Sequence, residues 1–317
     1  MKLFKTLALV GASLALTTAA QAETRVVFKA AKSGSSYYQM SVEIAEAMKA
    51  GSNGDIIVTV EESQGSVQNV MEVVARKGNY VFTTPPALAG AAAKAAGPFK
   101  DKGNPRFDEI RALFPIPSLT MHFVMSDKAG VKSFADLEGK TVLIGKGSFG
   151  ATEGAKYLEM FGLKDKVTLA DVELSNAVSA LKNGQIDGFV TAGSWPAPNV
   201  IEAAASTGVT VLSLTDDQIA QTKRTKLVIP AGTYAGQSAD IVTTSLPVVA
   251  YTTTDMDDAT AYAMTKTFWE QRDKMGETSP WWKGIDGEML ANISGKIHPG
   301  AIKFYKEKGF PLSDAHM

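Results

Sequence analysis

Along the chain, short runs rich in β-branched and aromatic residues alternate with segments whose apolar positions recur every three or four residues. That alternation is the pattern of α/β units with mainly parallel strands. Val26 to Ala30 reads as the first strand, followed by a loop of small residues, Lys32-Ser33-Gly34-Ser35-Ser36. A helix is predicted from about Tyr37 to Ala50, because Tyr37, Met40, Ser41, Ile44, Ala45 and Met48 fall on one face. The design repeats with the strand Ile56 to Val60, the loop Ser63-Gln64-Gly65-Ser66 and a helix over Val67 to Arg76. In a third copy, Phe134 to Lys140 leads into the strand Thr141 to Ile144, the loop Gly145-Lys146-Gly147-Ser148-Phe149-Gly150 and a helix from about Ala151 to Phe161. A fourth runs from the strand Ile186 to Val190 through Gly193-Ser194-Trp195-Pro196 into a helix near Asn199 to Ala205.

These four units share a physical consequence. The first N–H groups of each helix have no intrahelical partner, and small Gly and Ser side chains let a ligand approach that backbone. The helix dipole adds partial positive charge, so carboxylate, sulfonate or phosphate groups are favoured there. In open α/β sheets such loops sit at the carboxyl ends of the strands, where ligands bind, so four together imply a cleft between two sheets. One such loop alone is explained as well by a tight turn; repetition weakens that explanation. Gly145, Gly147 and Gly150 spell G-x-G-x-x-G, with Asp171 following 21 residues after Gly150. A dinucleotide site is nevertheless not the leading reading, because the same backbone device serves any small anion and an exported nicotinamide enzyme would be unusual.

Composition narrows the chemistry. With 45% hydrophobic and 21% charged residues the chain reads as globular, and at 317 residues it has the length of two domains. A net charge of −1 and the lack of a basic run exclude nucleic acid as a partner. The chain has no cysteine, which removes thiol nucleophiles, disulfides and Cys-ligated metals, and its three histidines, His122, His298 and His316, stand far apart. No cofactor and no metal are expected. At the start, Lys2 and Lys5 precede an apolar stretch from Thr6 to Ala20 and the A-x-A site Ala20-Gln21-Ala22, which reads as a signal peptide over residues 1–22. Cleavage after Ala22 would leave 295 residues with a net charge of −3, placed by this reading in a Gram-negative periplasm.

Several segments carry a family resemblance. Phe134 to Phe161 and Ala180 to Phe189 resemble the second lobe of type II periplasmic solute-binding proteins. Ser33 to Met48, Ser63 to Asn69, Ile229 to Gln237 and His298 to Gly309 resemble one branch of them, the TAXI-type receptors of TRAP (tripartite ATP-independent periplasmic) transporters. The resemblance covers essentially all of the chain after Ala22 and implies a two-lobed, ligand-closing α/β receptor. The crossings between lobes are expected near Leu113 to Val124 and near Thr243 to Thr252, giving lobe one as residues 23–118 plus 246–317 and lobe two as 119–245. It further implies that a ligand touching both lobes stabilises the closed form, that integral membrane subunits recognise that form, and that an ion gradient drives transport.

Carried over by position, the ligand-binding candidates are Ser33, Gly34, Ser35, Tyr37 and Tyr38 in the first loop and helix start, and Gln64, Gly65, Ser66 and Asn69 in the second. Gly147, Ser148, Gly150 and Thr152 follow in lobe two, then Gly193, Ser194 and Trp195. The family pattern of a Gly-Gly pair in the first loop and an Asp-containing strand end is replaced here by Ser35-Ser36 and by a strand end with Thr83 and Thr84, whose hydroxyls join the candidates. No arginine falls in these loops, and whether Arg111 or Arg224 reaches the cleft is left for the fold to decide. His122, His298, Phe268, Trp269 and Trp281-Trp282 read as packing or capping residues, and Asp255 to Asp258 as a helix cap. The expected function is capture of a small organic anion, a carboxylate, amino acid or sulfonate, for a TRAP-type secondary transporter. A periplasmic ligand sensor has the same expected fold, and an enzyme is disfavoured because no nucleophile or acid–base set is recognisable.

Overall fold

The computed structural model describes residues 23–145 and 148–317; the expected signal peptide, Lys146 and Gly147 lie outside the described residues. The first half begins with β1 (Thr24–Lys29), α1 (Ser36–Gly51), β2 (Ile56–Glu61), α2 (Ser66–Met71), β3 (Tyr80–Thr84) and α3 (Pro86–Ala93). β1 lies in parallel between β2 and β3, with Val27 opposite both Thr59 and Tyr80. Of the α1 face predicted from spacing, Tyr37, Met40, Ser41, Ile44 and Met48 are buried, while Ala45 is half-buried and Ala47 is buried in its place. α2 is shorter than predicted. From Glu72 to Val74 the chain tightens into a 3₁₀ turn that buries Val73 and holds the Glu72 carboxylate 3.2 Å from Lys29 and 3.0 Å from Arg76.

The chain then enters β4 (Ile110–Ser126), a strand of 17 residues, and passes through β5 (Thr141–Leu143), α4 (Phe149–Met160), β6 (Thr168–Ala170) and α5 (Ala177–Lys182). It continues through β7 (Gly188–Gly193), α6 (Pro198–Thr207), β8 (Val209–Val211), α7 (Asp216–Thr222) and β9 (Thr225–Ile229). A second long strand, β10 (Ile241–Thr253), leads to α8 (Asp258–Met275) and α9 (Pro299–Glu307).

The strand order is β2-β1-β3-β10-β4-β7-β5-β6, with β8 beside β4 and β9 beside β10. The pairs β1–β2, β1–β3, β5–β6 and β5–β7 are parallel, and every pair made by the long strands β4 and β10 is antiparallel. β10 pairs β3 at Val249 to Tyr251, and β4 pairs β7 at Thr120 to Met125, so the hydrogen-bonded path is continuous rather than split into two sheets. Where β4 and β10 cross, the register slips between Leu246 and Val248. Pro247 lies at that slip, opposite Pro117 and Ser118, and a proline has no N–H for the ladder.

Side chains alternate across β4, so Phe123 joins a core with Phe28, Phe82, Phe114 and Tyr157, while Val124 joins a second core with Leu143, Phe189 and Val200. The expected caps are present. Asp257 accepts from the Thr260 N–H at 2.8 Å, which holds its carboxyl below the ordinary range. His298 caps α9: its Nδ1 accepts from the Gly300 N–H and its Nε2 faces the Met256 carbonyl at 3.0 Å. Trp281 and Trp282 are buried, and both indole N–H groups donate to Glu43 Oε2 on α1, at 2.7 and 3.1 Å.

Candidate functional site

Three helix starts meet around one cavity. Ser35 caps α1: its hydroxyl donates to the Lys32 carbonyl at 2.6 Å and accepts from the Tyr38 N–H. Ser148 caps α4 in the same way, donating to the Gly145 carbonyl at 2.8 Å and accepting from the Ala151 N–H at 2.9 Å. Gly65 begins α2 at φ 108°, a backbone angle that side-chain-bearing residues rarely adopt. The space between them is about 480 Å³, part of it open to solvent. Its polar wall comprises Lys32, Ser35, Gln64, Ser66, Thr83 and Ser148, and its apolar wall includes Leu119, Leu174 and Val248. Tyr37, Gly65 and Gly150 complete the part of the wall drawn from the predicted residues.

The other candidates lie off this wall. The Ser33 N–H donates to Glu62 at 3.1 Å, and a side chain on exposed Gly34 would reach within 3.9 Å of Ser175 Cα. Tyr38 is half-buried, and Thr152 is exposed, its hydroxyl 3.4 Å from the Ser148 carbonyl. Asn69 is fully buried and its amide donates to the carbonyls of Lys29, Ala30 and Thr83, so it ties the ends of β1 and β3 together behind the cavity. Thr84 is also buried, with no partner for its hydroxyl among the described residues. Gly147 lies outside the described residues.

The fourth loop does something different. β7 runs to Gly193, three residues beyond the predicted strand end, and packs that glycine against Ser36 at the start of α1. Ser194 lines a separate pocket with Gln39 and Pro280, and Trp195 a groove with Pro117 and Trp281.

Hydroxyl chemistry is partly committed elsewhere. The Tyr37 O–H donates to the Pro117 carbonyl at 2.8 Å, so its ring walls the cavity while its phenol anchors β4; burial raises its pKa well above the ordinary value. Arg111 donates to the carbonyls of Asp108 and Ile110 at 2.8 Å, and Arg224 binds the buried Glu153 at 2.6 and 2.8 Å. Neither arginine lines the cavity. Lys32, which pattern reading left out of the candidates, does: its ammonium lies 3.0 Å from Glu173 and 3.9 Å from Glu62. A lysine directly before the Ser-Gly-Ser loop was the available signal. Leu119 and Val248 had none, because they arrive on β4 and β10 from remote sequence. Among the described residues, no cluster of three or more His, Cys, Asp or Glu side chains could hold a metal ion.

His122, on β4, is fully buried. The Ala197 N–H donates to the Tyr234 oxygen at 3.0 Å, so the Tyr234 O–H donates to His122 Nε2 at 2.9 Å and the Nδ1–H donates to the Thr120 carbonyl at 3.1 Å. That neutral tautomer agrees with burial pushing the imidazole from 6.5 down to about 4. The unfolded chain therefore takes up a proton below pH ~6.5 while the folded chain resists until about 4. Stability attributable to this site is full above the upper value and falls by roughly 3 kcal/mol across that window. His122→Gln is expected to flatten the decline of the unfolding free energy between those pH values. Burial also lowers the His298 pKa, so the profile flattens without becoming level. A variant profile as steep as that of the wild type would contradict this assignment.

The mixed sheet flanked by helices is the fold of known periplasmic binding proteins. The periplasmic binding protein BugD superposes with a TM-score of 0.58 at 11% identity, over 92% of this chain and 99% of that one. The alkanesulfonate-binding protein SsuA from Xanthomonas axonopodis pv. citri, bound to MOPS, matches with a TM-score of 0.44 at 13% identity, over 92% and 80% of the two chains. A TRAP periplasmic solute-binding protein from Desulfovibrio salexigens, in complex with diglycerolphosphate, matches with a TM-score of 0.46 at 12% identity, over 93% of each chain. The chain belongs to the NMT1-like family, whose sequence profile covers residues 28–309.

Proposed function

We propose that this protein is a periplasmic receptor that captures a small organic anion in the cavity between α1, α2 and α4 and delivers it to the membrane subunits of a secondary transporter. Convergence of three helix starts and Lys32 on one cavity carries this reading. Unpartnered N–H groups, the helix dipoles and the ammonium all favour a negative group there. In this reading residues 23–118 plus 246–317 and residues 119–245 move as lobes about the β4–β10 crossing. A ligand touching both walls stabilises the closed form by its differential affinity, and that form docks on the membrane partner. The order and spacing of the Ser33 to Met48, Ser63 to Asn69, Ile229 to Gln237 and His298 to Gly309 segments support a TRAP-type partner of the TAXI branch. A leader over residues 1–22 would direct export.

The test is the thermal unfolding midpoint of the chain from Glu23 onward against amino acids, oxoacids, dicarboxylates, sulfonates and sugars. A ligand at a hundred times its Kd adds about 2.7 kcal/mol to the folded state. A small organic anion is expected to raise the midpoint and to be recovered chemically unchanged. No shift with any anion, or consumption of the compound, would contradict the receptor reading.

A further inference from the structure

Resting on that reading, we propose that Lys32 receives the ligand's single negative charge, that Glu173 competes with the ligand for it, and that the site therefore selects compact monoanions with an apolar body over dianions. Lys32 follows β1 and lines the cavity, and Glu173 directly precedes Leu174, another lining residue, ahead of α5. The Lys32 and Glu173 side chains meet at 3.0 Å, and Glu62 stands 3.9 Å from the same ammonium. The Lys32 side chain is only 16% exposed, whereas that of Glu173 is 46% exposed. The cation is thus held at the cavity while its partner stands half in water and can return there at little cost.

Charge counting sets the specificity. Among the described residues of the wall, Lys32 is the one that carries charge, and Leu119, Leu174 and Val248 face it from the apolar side. One carboxylate or sulfonate entering on the helix starts replaces Glu173 on Lys32 and sets its hydrocarbon body against those side chains. A second acidic group would find no second cationic side chain among the described residues of the wall and would add its charge to those of Glu62 and Glu173, and an ionised group without a charged partner is disfavoured in such a place. Glu62 is already engaged by the Ser33 N–H at 3.1 Å, and Glu173, the nearer and half-exposed carboxylate, is the one proposed to exchange.

The experiment compares α-ketoisovalerate, a branched monoanion, with α-ketoglutarate, a dianion, by calorimetric titration of the wild type, Lys32→Gln and Glu173→Gln. The wild type is expected to prefer α-ketoisovalerate by at least about 10-fold, and Lys32→Gln to weaken its binding by about 30-fold or more. Glu173→Gln is expected to tighten it by about 3-fold to 10-fold, because the competitor has lost its charge. Glu173 is half-exposed, so this second variant reads the exchange even if Lys32→Gln perturbs folding. Equal or tighter binding of α-ketoglutarate, binding of neither probe, or weaker binding in Glu173→Gln would overturn the charge assignment while leaving capture standing. Failure of every anion in the thermal panel would overturn the receptor reading itself, and this inference with it.

Discussion

Replacing Gly193 by valine is expected to abolish high-affinity ligand capture while leaving the empty protein folded. A Cβ at this position would lie 1.9 Å from Ser36 Oγ and 3.2 Å from Ser36 Cβ, at the point where the end of β7 meets the start of α1. The hydroxyl can rotate away from an alanine methyl, but valine adds two methyls beyond a Cβ that already stands 3.2 Å from Ser36 Cβ and 3.8 Å from the Ser36 backbone nitrogen. If binding requires these walls to close, losing the closed geometry should weaken affinity by about 100-fold, equivalent to roughly 2.7 kcal/mol. Gly193→Ala should cost about 10-fold, and Ser36→Ala in the same chain should restore part of it by removing the clashing oxygen. Calorimetric titration with whichever compound gives the largest thermal shift reads all three variants. An unchanged affinity in Gly193→Val would show that closure at this contact plays no part in binding.

The largest loss of stability is expected from Gly300→Ala. Gly300 sits in the first turn of α9, where a Cβ would lie 2.1 Å from the Asp258 carbonyl oxygen and 2.8 Å from the Tyr262 nitrogen. Both are backbone atoms of α8, so no rotamer relieves the clash and α9 must move off α8. A cost of about 3 kcal/mol or more follows, which for a chain of this size lowers the unfolding midpoint by roughly 5–10 °C. Gly90 supplies the opposite sign. It lies within α3 with nothing inside 4 Å of its would-be Cβ, so Gly90→Ala should leave stability unchanged or raise it by about 0.5–1 kcal/mol. Thermal denaturation of both variants checks the pair, and a Gly300→Ala midpoint at or above that of Gly90→Ala would contradict the α8–α9 contact.

What the sequence revealed is mostly what is local. Ser35 and Ser148 precede their helices as capping residues, so the starts of α1 and α4 were legible within two residues. Thr243 to Thr252 was legible as an extended apolar strand and forms the inner part of β10, while Leu113 to Val124 lies within β4. Pairing across the fold was not legible. Whether Gly193 faces a ligand or Ser36 depends on how far β7 extends, and its pairing with β4 carries it to Gly193. Asn69 looked like a polar group free for a ligand, yet its Nδ2 donates to three carbonyls at the ends of β1 and β3, and its buried Oδ1 has no partner among the described residues. Lys32 and Glu173 are remote in sequence, and only the approach of the two walls makes them partners. Glu153 and Arg224 show the same limit: an arginine considered for the cleft is held by a buried carboxylate on α4.

The most direct test of anion capture between the walls is a crystal structure of the chain with the compound that most raises its unfolding midpoint. The account predicts the compound's acidic group among Ser35, Gln64 and Ser148 within hydrogen-bond reach of Lys32, and its body against Leu119, Leu174 and Val248. A compound seated elsewhere, such as the groove between Trp195 and Trp281, would contradict it.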